Sequence, residues 1–565
     1  MLHHLTKLAL ISGLLIASTI GHAQSVRIIY TTDVHGAIFP YDFIKGTEAN
    51  NSLAHAASYI EEAREDSRNV ILLDAGDALQ GTPAVYYYNY VEPEHNIIAT
   101  IYNDMKYDAV CIGNHDIETG HDCYDNYVKQ MNMPVLGANA VNKETGEPYF
   151  KPYTILERAG KKIAVLGLTT PYVPHWLPEF YWSGIEFKDM IESAQYWMDH
   201  IQKNEKPDAV IGLFHAGYDY THSLQKATDK CNENASVLVA EQVEGFDLIL
   251  IGHDHKVFNQ QVTSPSGHKV QVCDAGTAAR YLGDVTMEFK KGEKRPTITT
   301  KLVALGSVEP SESFTHKYMP HMMAIKAYSK KVIGQLKEDL VSSKALFGPS
   351  DFVNLVHNTT RKHTGAEISF AAPLLIDATI PKGNLTVGNM FSIYKFENML
   401  SVMKLTGAEI KKFLEYSYEE WVSNPKETGH LIKLNNRGRI LNRVYNFDSA
   451  AGIKYTVNPF KPYGERVEII SMEDGTPFDM NKEYNVGMSS YRYNGGGEHL
   501  TKGVGLTKEQ INARSVKNIL KDLRGMIMED FTEMGGEINI PENNNWKFVP
   551  EADVKEYLEK DKAMF

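Results

Sequence analysis

The chain has little of three features that mark common protein classes. It has only four cysteines in 565 residues and no CxxC pair, so it offers no zinc ribbon and leaves open whether Cys111, Cys123, Cys231 and Cys273 form disulfides. It has no excess of basic residues, since its formal net charge is −13, which argues against binding to a nucleic-acid polymer. Beyond its N-terminus it has no apolar run long enough to span a bilayer. An anionic partner would therefore need local positive charge, such as bound metal ions.

The N-terminus has the composition of a secretory signal peptide. Lys7 precedes the apolar stretch Leu8–Ile20, and small residues at Gly21 and Ala23 suit cleavage after Ala23. A membrane anchor is the alternative reading, but a spanning helix needs about 20 apolar residues. We therefore expect residues 1–23 to be removed and the mature protein to be exported, to a bacterial periplasm, without a transmembrane segment.

Short apolar runs in the first half of the chain end directly before side chains that bind metals. One further run, Lys162–Leu168, ends in Thr169 and Thr170 and contributes no ligand. In an α/β sheet the carboxyl ends of strands meet at one crevice, so these side chains should converge. The runs and their side chains are Val26–Tyr30 with Asp33 and His35, Val70–Leu73 with Asp77, Ala109–Ile112 with Asn114 and His115, Val210–Phe214 with His215, and Leu248–Ile251 with His253 and His255.

Strand-like and helix-like patterns alternate along the chain, which predicts an α/β fold. The length exceeds what one core can hold. We expect a catalytic domain at 24–310, a linker helix at 311–345, a second α/β domain at 346–540 and a tail at 541–565. The helical pattern of the linker runs from Pro320 to Leu340.

A set of Asp, Asn and His side chains without cysteine suits a pair of divalent metals such as zinc, manganese, cobalt or iron. Two such ions about 3.5–4 Å apart activate water and neutralise phosphoryl oxygens. Asp77 is the predicted bridging ligand, because it lies at a strand tip where its two oxygens can face two ions. We assign Asp33, His35 and His255 to one ion, and Asn114, His215 and His253 to the other.

Each motif alone has an ordinary structural explanation. An Asp-x-His is usually a turn, and Asn and Asp are common in loops. The occurrence of all the motifs in this order, each at a strand end, favours a two-metal hydrolase instead.

With these motifs the chain resembles the calcineurin-like metallophosphoesterases, and within them the exported 5′-nucleotidase / 2′,3′-cyclic-nucleotide phosphodiesterase family. The resemblance covers nearly the whole mature chain. It implies an N-terminal layered β-sandwich flanked by helices, a linker helix and a second α/β substrate-binding domain. It also implies that His115 is catalytic and paired with an acid three positions on, which is Glu118 here and Asp in the nucleotidase branch.

In the second domain, the resemblance places two aromatic rings around the nucleobase at Phe447 (NFDSAAG) and Tyr491 (SSYRYNGGG). Stacking on such rings is worth about 1–3 kcal/mol per base. Asn398 is a further candidate for contact with the nucleoside. The alternative is that both rings are part of the hydrophobic core.

Three departures from the 5′-nucleotidase branch bear on the substrate. The stretch that begins at Ala372 replaces a GGGIR motif, Gly497 replaces an Asp, and His255 stands where that branch often has Gln or Asn. All three resemble the 2′,3′-cyclic-nucleotide 2′-phosphodiesterase / 3′-nucleotidase branch. We therefore expect a hydrolase of that specificity, acting on small nucleotides. The alternatives are a 5′-nucleotidase or UDP-sugar hydrolase, and a nucleotide-binding surface protein with an inactive site.

Overall fold

A computed structural model of the protein describes residues 24–222, 225–541 and 543–565. The signal peptide predicted for residues 1–23 lies outside them. Among the described residues, no helix combines the length and apolar character needed to cross a membrane. All four cysteines are free thiols.

The N-terminal domain is a sandwich of two six-stranded sheets. Apolar side chains from both sheets, such as Leu73 and Leu213, meet in one fully buried core. The first sheet has the strand order Thr297–Ala304, Tyr281–Phe289, Gln24–Thr31, Val70–Asp74, Ala109–Cys111, Val135–Leu136. The second has the order Val257–Thr263, Lys269–Ala275, Leu248–Ile251, Ala209–His215, Lys161–Thr169, Tyr153–Arg158.

The central strands of each sheet are parallel, and this positions the site. Gln24–Thr31 pairs in parallel with Val70–Asp74, and Ala209–His215 pairs in parallel with both Lys161–Thr169 and Leu248–Ile251. The loops that follow these strands therefore leave the sandwich at a common edge. Helices cover the outer faces of the sandwich: Leu53–Asp66, Ile97–Met105, His121–Gln130, Met190–Asn204 and Ser236–Gln242.

The linker helix differs from its prediction in its bounds, and it packs against the catalytic domain. It spans Glu312–Ser329, and the strand Val332–Leu336 replaces the end of the predicted helix. The Ser311 hydroxyl caps its first turn by accepting from Phe314 N. Phe314 and Ile325 are buried in the core of the catalytic domain. The helix is therefore packed against that domain along one side.

The C-terminal domain has a five-stranded mixed sheet with helices packed against it. Thr406 and Glu409 form the capping box of the helix Gly407–Trp421. The strand order is Ser449–Ala451, Ile368–Ala371, Glu483–Ser489, Leu400–Thr406, Ser515–Ile519. The main helices are Asp351–Thr364, Gly407–Trp421 and Leu523–Glu533.

The predicted tail at 541–565 is wrong, because these residues complete the C-terminal domain. The strand Trp546–Phe548 pairs in parallel with Ile453–Val457, and both of its aromatic rings are buried. The helix Glu551–Lys562 carries the fully buried Asp561, whose carboxylate accepts from the backbone N–H groups of Leu431 and Ile432 at 2.7 and 2.9 Å.

Candidate active site

The strand ends bring all the predicted metal-binding side chains together. In each of two groups, the candidate ligand atoms lie within 4.8 Å of one another, and Asp77 belongs to both. Asn114 joins the second group, since its Oδ1 atom lies 3.1 Å from His215 Nε2 and 2.8 Å from His253 Nδ1. The first group is Asp33, His35, Asp77 and His255, and the second is Asp77, His215 and His253.

Asp77 has the surroundings that a bridging ligand needs. It is fully buried, and its Oδ1 accepts from His115 N at 2.8 Å. Among the described residues its Oδ2 has no partner in hydrogen-bond geometry, although His215 Nε2 lies 3.0 Å away and His35 Nε2 lies 3.9 Å away. A buried carboxylate oxygen without a donor is costly, and a cation on either side would satisfy it. The donor set therefore fits two divalent metals.

Main-chain carbonyls orient the imidazoles toward the centre. His35 Nδ1 lies 3.0 Å from Gln80 O, and His215 Nδ1 lies 2.7 Å from Ala75 O. Because a carbonyl only accepts, each Nδ1 carries a proton, and Nε2 is the ring atom that faces the centre. His253 is turned the other way, with Nδ1 toward the centre and Nε2 3.3 Å from Glu233 Oε1.

The protonation states of His35, Asp33 and Asp77 suit metal binding, whereas His215 must lose a proton first: burial alone would lower its pKa, but the charge of Asp77 outweighs burial and raises the pKa to about 10. Burial lowers the pKa of His35 to about 4, so its ring is neutral at pH 7. Burial acts to raise the pKa of Asp33, but the hydrogen bond and charge of His255 outweigh it and hold the pKa at about 2. In Asp77 the charges of His215 and His115 likewise overcome burial and hold the pKa well below its usual range. Both carboxylates are therefore ionised.

Many of these ligands have left-handed backbone conformations, which non-glycine residues rarely adopt. Such strain concentrates at functional sites and persists only where the surroundings hold it. Here the holding contacts include Asp33 N to Gly76 O and His35 N to Asp77 O, both at 2.9 Å. The residues with positive φ are Asp33 (47°), His35 (47°), Asp77 (59°), His253 (87°) and His255 (59°).

Asp116 supports the Asp77 loop and was not among the predicted site residues. Its buried carboxylate accepts from the backbone N–H groups of Gly113 at 2.8 Å and of Asp77, Ala78 and Leu79 at 2.9 Å. It thus ties the loop after Val70–Asp74 to the segment from Gly113 to Asp116, which has the sequence GNHD. The sequence signal was present, because Asp116 is the last residue of GNHD.

His115 and Glu118 form the predicted pair. The distance from His115 Nδ1 to Glu118 Oε2 is 2.5 Å, so the longer Glu side chain reaches the ring. Burial alone would lower the pKa of His115, but the charges of Glu118 and Asp77 outweigh it and raise the pKa to about 9. The ring is therefore held as a proton donor beside the metal-binding side chains.

One cavity of about 990 Å³ connects this centre to the C-terminal domain. From the catalytic domain, His115 and His253 line it. From the C-terminal domain, Phe396, Asn398 and other side chains line it. A single ligand can therefore touch both domains.

The structure separates the predicted base-stacking residues. Tyr491 lines the cavity, but Phe447 is only 2% exposed and stacks on Trp421 at 5.4 Å between ring centres. Phe447 is a core residue, and the prediction that its ring contacts the base is wrong. Asn398 lines the cavity, and its Nδ2 donates to Tyr394 Oη at 3.2 Å.

Tyr445, rather than Phe447, faces the cavity. It lines the cavity, and its ring centre lies 6.1 Å from that of Tyr491 and 6.4 Å from that of Phe396. It lies two residues before Phe447, in the short 3-10 turn Val444–Asn446. Irregular turns have no side-chain period, so the sequence has no pattern that distinguishes the inward ring from the outward one.

Two family models match the chain. The one described as calcineurin-like phosphoesterase matches residues 26–257, and the one described as 5′-nucleotidase, C-terminal domain, matches residues 332–502. The chain belongs to the calcineurin-like phosphoesterases with a 5′-nucleotidase C-terminal domain. Members of this family hydrolyse phosphoesters with two divalent metals. The donor set described above fits such a pair of metals. The predicted family, fold class, enzyme class and cofactor are confirmed.

Similar proteins with this pair of domains come from several bacteria. Over 93% of its length the chain is 25% identical to a Haemophilus influenzae protein named 2′,3′-cyclic-nucleotide 2′-phosphodiesterase/3′-nucleotidase, and it covers 87% of that protein. It is 26% identical to a trifunctional nucleotide phosphoesterase protein of Bacillus subtilis, but spans only 39% of that protein. The crystal structure of a Thermus thermophilus 5′-nucleotidase precursor has the same fold, with a TM-score of 0.63, 21% identity, and coverage of 93% of this chain and 100% of that one.

Proposed function

We propose that this phosphoesterase hydrolyses nucleotides, with 2′,3′-cyclic nucleotides and 3′-nucleotides as its substrates. One observation carries the proposal: the same cavity is lined by His115 and three metal-binding side chains on one side and by Tyr445 and Tyr491 on the other; the three are Asn114, His253 and His255. The first wall suits a phosphate, and the second suits a nucleobase, which stacks on aromatic rings. A nucleotide has both groups.

Features of the C-terminal domain support the 2′,3′-cyclic branch. A side chain at Gly497, where the resemblance places an Asp in the 5′-nucleotidase branch, would have to displace Arg492, because a Cβ there would lie 2.1 Å from Arg492 Nη1. Ala372 and Leu374 line the cavity in the stretch where that branch has its Arg. The name of the Haemophilus influenzae relative points to the same class of substrate.

The proposed chemistry divides between the metal-binding side chains and His115. When bound, the two divalent metals activate water and neutralise the phosphoryl oxygens. Asp77 holds the two cation sites together. With Nδ1 engaged by Glu118, His115 donates its other proton to the ribose oxygen that leaves phosphorus. Glu118 fixes the orientation of the ring and stabilises its protonated form.

Movement between the domains is part of the proposal, because the phosphate and base sites lie on different domains. Lys508 Nζ donates to Pro174 O, and the rings of Tyr86 and Phe391 pack at 5.5 Å across the interface. We expect this arrangement to be the closed one and a rotation near the linker helix to open it. Small-angle scattering with and without adenosine plus phosphate should show compaction; an unchanged radius of gyration would contradict the movement.

A direct test compares 2′,3′-cyclic AMP, 3′-AMP, 5′-AMP and UDP-glucose with one preparation of the enzyme. We expect the highest kcat/KM with the first two. A preference for 5′-AMP would favour the 5′-nucleotidase alternative, which a 31% identical 5′-nucleotidase of Diplobatis ommata supports over 50% of this chain. No phosphate release from any nucleotide would contradict the proposal.

Export of the protein is the remaining part of the proposal. If residues 1–23 are a signal peptide, N-terminal sequencing of protein from the native host should begin at Gln24. A mature chain that begins at Met1 would exclude cleavage.

A further inference from the structure

We propose that Arg492 is a positioning residue that holds both tyrosines of the nucleobase site in place; this inference rests on the proposed nucleotide substrate. Arg492 directly follows Tyr491 and lines the same cavity, yet it is only 2% exposed. A buried charge is costly unless it is paired and hydrogen-bonded. Its partners should therefore show what it does.

The guanidinium connects the segments that carry the two rings. Its Nη2 donates to Asp448 Oδ2 at 2.5 Å and to the Tyr445 carbonyl at 3.1 Å, and its Nη1 donates to the Gly496 carbonyl. Its Cζ lies 5.5 Å from the centre of the Tyr491 ring. The planar fork can make these contacts together, whereas a lysine ammonium is a single point of charge. One side chain thus links the turn with Tyr445, the helix with Tyr491 and the glycine turn.

The glycine turn leaves the space that this arrangement needs. A Cβ at Gly496 would lie 2.4 Å from Tyr491 Cε2, and a Cβ at Gly497 would lie 2.1 Å from Arg492 Nη1. The turn therefore fits closely around the guanidinium and one ring. The rings of Tyr445 and Tyr491 stand at 86° to each other, so their joint grip on a base depends on where the main chain holds each of them.

The test uses Arg492→Lys, which keeps the charge and removes the fork. We expect KM for 2′,3′-cyclic AMP to rise about tenfold, the loss expected when one stacking contact is weakened, with kcat nearly unchanged. Ribose 2′,3′-cyclic phosphate, which has the reacting group but no base, should keep both its kcat and its KM. A role limited to stability would not produce this difference between substrates.

Arg466→Lys is the matched control. Arg466 is also buried in the C-terminal domain, at 8% exposure, and donates to the Val422 carbonyl at 3.0 Å with Glu419 at 2.8 Å, but it lies outside the cavity lining in the described part of the chain. Its KM for the cyclic nucleotide should match that of the wild type. If Arg492→Lys does not fold, Gly497→Ala displaces the guanidinium from the other side and should give the same substrate-dependent rise in KM.

An unchanged KM for the nucleotide in a folded Arg492→Lys enzyme, or an equal loss with both substrates, would overturn the inference. In either case an active wild type would leave the proposed function intact. A wild type that hydrolyses no nucleotide would overturn the function itself.

Discussion

The metal-binding wall of the cavity is built on the ends of strands, whereas the nucleobase wall is built on turns. Asp77 and His215 lie at or just beyond the ends of buried parallel strands, and hydrogen bonds such as those of Asp116 hold the loops. Tyr445 lies in a 3-10 turn and Tyr491 in the short helix Ser490–Tyr493. The sheets therefore fix the chemistry, while side-chain packing between turns fixes the contacts that select a substrate.

The largest effect should come from breaking the metal-binding wall at its shared residue. Asp77→Asn removes the charge that both cation sites use, and we expect loss of turnover by more than about 100-fold, because even the loss of a group that only hydrogen-bonds to a metal ligand costs about 10–100-fold. Elemental analysis of the purified variant should show less bound metal than the wild type. Since the Asn is nearly isosteric, the metal-free variant should still fold, but at a lower melting temperature than the wild type, because the depressed pKa of Asp77 means that its charge stabilises the fold at pH 7.

Asp208→Asn is the matched control, because Asp208 belongs to the same domain and pairs at the surface with Lys161 at 3.0 Å. It should keep its metal and its activity. Turnover preserved in Asp77→Asn would refute the bridging role.

The next effect tests the proton donor on the same wall. His115→Ala should lower kcat for 2′,3′-cyclic AMP by about 10²–10⁴-fold, the usual contribution of general acid–base catalysis. Hydrolysis of p-nitrophenyl phosphate should fall much less, because nitrophenolate leaves without a proton. If both substrates lose the same factor, His115 does not act as the donor.

A smaller effect is expected on the nucleobase wall. Tyr491→Ala removes a stacking surface worth about 1–3 kcal/mol, so KM for nucleotides should rise about tenfold while kcat stays close to that of the wild type. The same substitution should not alter KM for ribose 2′,3′-cyclic phosphate. An equal change for both substrates would place the base elsewhere.

The smallest effect on activity is expected at Phe447. Comparing substitutions of Tyr445 and Phe447 tests which of the two rings contacts the base. Phe447→Leu should lower the free energy of unfolding by about 1–2 kcal/mol, because it leaves space in a packed core, and should leave KM for nucleotides unchanged. Tyr445→Leu should do the reverse, with a higher KM and little loss of stability. Urea unfolding and steady-state kinetics on both variants would decide; a raised KM in Phe447→Leu would restore the original prediction.

The predictions from the sequence were more accurate where the local structure is regular. Strand bounds such as Leu248–Ile251 agree with the structure, because a short apolar run between polar residues is typical of a buried strand. The final segment was misjudged because its helix buries little apolar surface and is held by Asp561, whose partner Leu431 lies 130 residues away in the sequence. Such a contact leaves no local signal.

The sequence by itself predicted the candidate metal-binding side chains and the α/β character of both domains, whereas the His115–Glu118 pair was implied by the resemblance to the family. It could do so because each ligand follows a buried strand, and parallel strands end at one edge whatever the rest of the chain does. Only the tertiary structure decided that Tyr445 and not Phe447 faces the cavity, that Asp116 holds the Asp77 loop, and that Arg492 bonds to the Tyr445 carbonyl. These features depend on packing between segments that are distant in the sequence. Tyr445 and Phe447 are only two residues apart, yet one ring faces the cavity and the other lies in the core.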